Sequence, residues 1–415
     1  MISSATSELA PPHHVPAQMR RDLLFIGSIC ILVGTIGWVF YGVLFSSAPA
    51  QDFMVFYTAA RSCIEGNLAL IFDGDAFTAK INGQFGDWLF RPLDLHPWVY
   101  PPLYLLVVVP LGFVPFGMAY ALFIGTTFVL LNCAIRCFVP RGYQRWVCAA
   151  SLLLSPATAW TVAVGQNSFM TTALLVGGIG LVPRSPLLAG ALLGLLACKP
   201  QLWLLVPVAL FAARKWTVLT STVFSACLVA LASVAVFGVE PWREWLTLML
   251  EPSPMYQHWL QFGRLNGQSA YTEAFLLGAP SGVANLLQGL VTLFCAVVVW
   301  RCFRAPDMQR NMQLAVLLTA TVLGAPHVAN YDAVMVAVAV SLFLCRALED
   351  GLRFGDAVLI VVVWSIELLD PPSLIRLGLT TPLVLCLFLV VVIARGCPGA
   401  LGVTTTARPV QPAVL

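Results

Sequence analysis

Polar residues in this chain stand in short clusters between long apolar runs. The first run, residues 22–45, carries a single charge at its edge, Asp22, and similar runs recur as far as residue 395. A helix needs roughly 20 apolar residues to cross a hydrocarbon core. The pattern therefore predicts spans at 22–45, 118–138, 146–164, 167–183, 185–198, 200–213, 216–239, 282–303, 311–325, 328–346, 355–369 and 374–394, about 12 in all. Pro101, Pro102, Pro110 and Pro115 interrupt the apolar stretch 98–117. Proline removes a helical hydrogen bond, so this stretch is read as re-entrant or interfacial; if it spans instead, the parity of every later helix changes. The expected fold is all-α, a single polytopic membrane domain over 22–395. An N-terminal tail (1–21), a C-terminal tail (396–415) and two long loops, 46–117 and 240–281, complete it. Arg20-Arg21 ahead of so long a run predicts a start-transfer anchor rather than a cleaved signal peptide.

Charge then orients the helices, because cytoplasmic loops are enriched in Lys and Arg. Fifteen of the 22 Lys and Arg residues, among them Arg20, Arg136, Arg214, Arg301 and Arg395, fall on one side. The polar clusters QD (51–52), VYPP (99–102), VGQNS (164–168), CKPQ (198–201), GRLNGQS (263–269) and PHVANYD (326–332) fall on the other, with both long loops. This predicts cytoplasmic tails in an inner-membrane protein and a functional site at the extracytoplasmic face. At 59% hydrophobic and 10% charged, the composition excludes an ordinary soluble domain. A net charge of +3 makes no case for nucleic acid. The twelve cysteines lie mostly in apolar runs, where cysteine behaves as a small hydrophobe.

A small set of polar residues carries the candidate chemistry. Asp52 precedes an aromatic segment, 53–65, whose spacing predicts an amphipathic interfacial helix. It is either the cap of that helix or a general base for an acceptor hydroxyl. Lys199 separates two short apolar segments, and a cation at a break between short helices suits a phosphate; snorkelling to the interface is the ordinary alternative. GAPHVANYD places His327, Tyr331 and Asp332 on a helix expected to start near Pro326, with His327 and Tyr331 on one face. Gln166 and Asn167 offer neutral hydrogen bonds to a sugar or acceptor, and Tyr57, Tyr100, Gln268, Tyr331 and Asp332 join them as candidate sugar or acceptor contacts, while Arg264 could hold a phosphate. Tyr100 also has an architectural reading, in a Tyr-Pro-Pro turn. Asp73 and Asp75 read as an ordinary turn rather than a metal site.

Taken in order, QDFMVFYTAARSCIEGNLALIFD, HPWVYPPLYLLVVVPLGFVP, VGQNSFMTTALLVGG, LLACKPQLWLLVPVAL, NGQSAYTEAFLLG and GAPHVANYDAVMV resemble glycosyltransferase family 87. This polytopic group of the GT-C superfamily includes polyprenol-phosphate-mannose-dependent α-mannosyltransferases. The likeness runs from about residue 50 to residue 335. It implies a GT-C fold, a polyprenyl-phosphate sugar donor with mannose as the expected sugar, a glycolipid or glycan acceptor, and an extracytoplasmic active site. The family's catalytic aspartate matches Asp52; its lysine and histidine near the donor phosphate match Lys199 and His327. With these cations at hand, no metal or other cofactor is expected. One competing expectation is a secondary transporter of a lipid or polyol, which predicts paired halves and ionisable groups near mid-membrane. Another is a non-catalytic scaffold in envelope assembly.

Overall fold

The structure, a computed structural model, describes residues 17–139, 142–250, 269–368 and 380–396. Among these residues every regular element is helical. In chain order they are α1 (Ala17–Leu44), α2 (Gln51–Ile64), α3 (Gly74–Phe85), a short helical stretch at Pro102–Phe113, α4 (Phe116–Ile135), α5 (Tyr143–Leu154), α6 (Pro156–Val164), α7 (Ser168–Leu181), α8 (Pro186–Gly194), α9 (Val206–Ala212) and α10 (Trp216–Phe237). There follow α11 (Glu240–Leu250), α12 (Ala270–Leu276), α13 (Ser281–Arg304), α14 (Arg310–Gly324), α15 (Val334–Asp350), α16 (Phe354–Ser365) and α17 (Thr381–Gly396).

Several apolar helices make this a membrane protein, without confirming the expected count of about 12 spans. Among the described residues five helices are long and apolar enough to cross: α1, α4, α10, α13 and the stretch Asn330–Asp350. A sixth crossing is available if α5 and α6, bent by 53° at Ser155, act together. The difference is one of length: several runs are cut short by breaks, as at Lys199–Pro200, and Pro102–Phe113 is too short to cross at about 1.5 Å per residue, as is α14 with 15 residues. The helices also differ in what they face. The apolar window of Asn330–Asp350 is 89% buried against 22% for α1, α10 and α13, and α14 is buried along almost its whole length. A hydropathy pattern reports lipid-facing and protein-facing helices alike.

Two cores result. The larger is aliphatic, built from α14, α15 and the helices around them. The smaller is aromatic and lies at one end of the bundle, where α2, α3, the 102–113 stretch and the start of α4 enclose Phe53, Phe56, Trp98, Tyr100 and Tyr104. Phe56 makes edge contacts with Trp98, Tyr100 and Tyr104 at ring separations of 6.3, 5.4 and 5.3 Å. This layer corrects the expected interfacial helix: α2 is buried from Phe53 to Ala60, on every side rather than one. Asp73 caps α3, accepting from the Ala76 N–H at 3.1 Å, and Asp75 lies in the first turn of that helix.

Candidate active site

Three chain reversals build the site. The first ends α1 and starts α2, where the Ala50 N–H donates to the Ala163 carbonyl at the end of α6, 2.8 Å away. Ala50 is the N-cap in a left-handed conformation; Asp52 is the second helical residue and makes no capping bond, so the cap reading is not what the fold uses. The second reversal is the turn from α6 to α7. Gly165 has φ +77°, and a Cβ there would stand 2.5 Å from the Phe53 Cβ, so only glycine fits beside α2. The third is the break at Lys199. It follows α8, which lies so close to α10 that Cβ atoms at Gly190 and Gly194 would meet Ser221 and Ser225 within 2.6 Å, a small-residue contact typical of membrane helices.

These reversals bring two linked groups together. Gln166 Nε2 donates to Asp52 Oδ2 at 3.0 Å, while its Oε1 accepts from the Tyr100 hydroxyl at 2.8 Å and from the Asn167 N–H at 2.9 Å. Beside this chain, Lys199 Nζ donates to Asp332 Oδ1 at 2.8 Å in an ion pair whose members are only 4% and 3% exposed. The same carboxylate oxygen accepts from Ser168 Oγ at 3.4 Å. Lys199 Nζ also sits 4.9 Å from the centre of the Tyr331 ring, a cation–π separation. Snorkelling is thereby excluded for Lys199: the ammonium is held inside, by a partner 133 residues away.

Asp52 is half-buried, and burial pushes its carboxyl up from the ordinary value; His96, the Gln166 amide and Lys199 pull it back down. Burial likewise pushes the Tyr100 hydroxyl well up, so it remains a proton donor to Gln166. The sequence reading passed over His96, although it opens the resembling segment HPWVYPP. Its N–H donates to Thr78 Oγ1 at 3.0 Å, and its Nδ1 lies 3.0 Å from the Asp94 carbonyl, which can only accept, so the ring proton belongs on Nδ1.

Other candidates are placed differently. Residues 325–329 are not helical and a 3₁₀ turn begins only at Asn330, so His327 and Tyr331 do not share a helical face. His327 is exposed and lines a recess of about 320 Å³ with Tyr271, Asn285, Gln288 and Thr292. Tyr57, expected among the sugar-binding residues, donates its hydroxyl proton to the Val114 carbonyl at 2.9 Å. Asn167 is fully buried beside the Tyr104 hydroxyl, and among the described residues the polar atoms of neither side chain have a further hydrogen-bond partner beyond the other. Such atoms are costly unless a ligand or water meets them. Arg264 and Gln268 lie outside the described residues. Beside the start of α2, Trp38, Tyr41, Phe45, Trp88 and Phe116 line an aromatic cavity of about 320 Å³. Among the described residues no group of three or more His, Cys, Asp or Glu could hold a metal ion.

The family model of glycosyltransferase family 87 matches residues 98–329. That range contains Tyr100, Gln166, Asn167, Lys199 and His327; Asp52 precedes it and is joined to it by the Gln166 amide. No curated protein and no solved structure matches the chain. Since the match covers more than half of the chain, the protein belongs to glycosyltransferase family 87, and its apolar helices make it a membrane glycosyltransferase.

Proposed function

We propose that the protein moves a sugar from a polyprenyl-phosphate donor to a hydroxyl of a lipid or glycan acceptor at the extracytoplasmic face of the inner membrane, with Asp52 as base. The resemblance makes mannose the expected sugar and a cell-envelope glycolipid the expected acceptor. The observation that carries this reading is the joining of Asp52, through Gln166, to a buried end of the bundle that also holds Lys199 and Asp332. Lys, Asn and aromatic groups converging there suit an anionic, hydroxyl-rich ligand.

The chemistry is one displacement. Asp52 takes the proton of the acceptor hydroxyl, the oxygen attacks the anomeric carbon, and the bond from that carbon to the phosphate oxygen breaks. Attack from the face opposite the leaving group inverts the anomeric configuration, as with inverting glycoside chemistry. The leaving polyprenyl phosphate gains charge, which Lys199 meets with the N–H donors not given to Asp332; His327 and Arg264 complete the proposed phosphate set. No cofactor is needed for these steps. The upward push of burial on Asp52 makes it a stronger base than a solvated carboxylate. Activity is then full above its raised pKa and lost as the pH falls through it.

Membership of a glycosyltransferase family leaves the transporter and scaffold readings without support. The test is to incubate purified protein with a panel of polyprenyl-phosphate sugars and a lipid acceptor extract and to measure released polyprenyl phosphate. Release with one donor sugar, dependent on acceptor, is expected. Absence of turnover with every lipid-linked donor, alongside turnover of a nucleotide sugar, would overturn the donor assignment.

A further inference from the structure

We infer that Gln166 is a positioning residue for the base, fixing which oxygen of Asp52 faces the acceptor, rather than a sugar-binding residue. The inference rests on the reading of Asp52 as base.

The geometry leaves the Gln166 amide no choice of orientation. It is 4% exposed, and its Oε1 faces the Asn167 N–H, a donor that cannot be turned around. Flipping the amide would set NH₂ against N–H and leave the Asp52 carboxylate facing a carbonyl oxygen. The Tyr100 hydroxyl, donating to the same Oε1, reinforces the orientation. Three bonds thus occupy the side chain, and the Tyr331 hydroxyl lies next to it, so little of the amide remains to read a sugar. The backbone around it is held equally firmly by Gly165 against Phe53 and by the Ala50–Ala163 bond.

With Oδ2 engaged by the amide, Oδ1 is the oxygen left to take a proton. The groups facing Asp52 are His96 from the loop before Tyr100, Lys199 from the break after α8, and the hydroxyls of Tyr100 and Tyr331; Asp332 lies beyond Lys199. Among the described residues it is the Gln166 side chain that donates a hydrogen bond to the carboxylate. A donor to the ionised form favours it, so removing the donor moves the acid limb of activity to higher pH.

The experiment measures kcat and KM against pH for Gln166→Leu, Gln166→Glu and Tyr100→Phe, with thermal unfolding in parallel. Gln166→Leu should lose roughly 10- to 100-fold in kcat at neutral pH, the size of a lost hydrogen bond to a charged group. It should recover part of that at higher pH with KM little changed. Gln166→Glu, which sets a second carboxylate beside the first, should move the limb further up. Tyr100→Phe should move it in the same direction by less, and serves if the Gln166 variants do not fold. A raised KM with an unmoved limb would make Gln166 a substrate contact, and a pH-independent loss tracking stability would make it packing only; either overturns the inference. Asp52→Asn separates the two levels: an active Asp52→Asn removes the base itself, whereas an inactive one with an unmoved Gln166→Leu limb removes only the role given to Gln166.

Discussion

The aromatic core at one end of the bundle and the aliphatic core beneath it are built for different tasks. Around α14 and α15 the buried side chains are mostly Leu, Val, Ala and Met, with a few rings such as Phe343 and Phe388 among them, fillers whose work is exclusion of water and lipid. Around α2 they are Phe, Trp and Tyr, with short polar handles on several of them. Rings with two rotatable bonds hold direction better than aliphatic chains do. The aromatic layer is where the start of α2 must be aimed, because Asp52 lies one residue from Phe53, which contacts Phe116, Tyr120 and Phe123. Stability is spread through the large core, and placement is concentrated in the small one.

The sharpest way to break this contrast is at the ion pair that stands between the cores. Lys199→Met leaves Asp332 buried without its partner, which should cost about 3–5 kcal/mol. The double variant Lys199→Met/Asp332→Leu should recover most of the melting temperature in detergent but no turnover. Next comes a matched pair of truncations, Phe56→Ala in the aromatic core and Leu318→Ala in the aliphatic one. Each should cost about 3–5 kcal/mol or a little less, and only Phe56→Ala should lower turnover per folded molecule. Equal turnover in the two would merge the roles of the cores. Gly165→Ala, which adds a Cβ against Phe53 at a positive φ, should destabilise by about 1–3 kcal/mol and reduce kcat beyond that loss. The smallest effect is expected from Tyr57→Phe, about 1 kcal/mol from the bond to Val114, with activity unchanged.

Much of the architecture was legible because breaks in apolar runs are local signals. Lys199-Pro200 ends one helix and starts another in the sequence and in the fold. The clusters around 51, 99, 164, 198 and 326 could be read as meeting at one end because helices of roughly known length alternate direction. The partnerships themselves were not legible. Nothing near Lys199 in the chain points to Asp332, which reads from the sequence as a sugar or acceptor contact rather than as a counterion. His96 sits in a proline-bounded loop with no periodicity to aim it. The sequence reads His327 into a helix starting near Pro326, but Ala325 is extended ahead of that proline, the chain bends at 326–327, and helical turns resume only at Asn330. The span count is not legible for a related reason, since the buried α14 and the more exposed α13 are both runs of apolar residues.

The central claim is that Asp52 is the base, and its most direct measurement is turnover of Asp52→Asn, an isosteric change that removes basicity and keeps the volume. With a polyprenyl-phosphate sugar and acceptor, and folding verified by an unchanged elution profile and melting curve, kcat should fall about 10²- to 10⁴-fold across the pH range. A folded Asp52→Asn protein that releases polyprenyl phosphate at close to the wild-type rate would contradict the account.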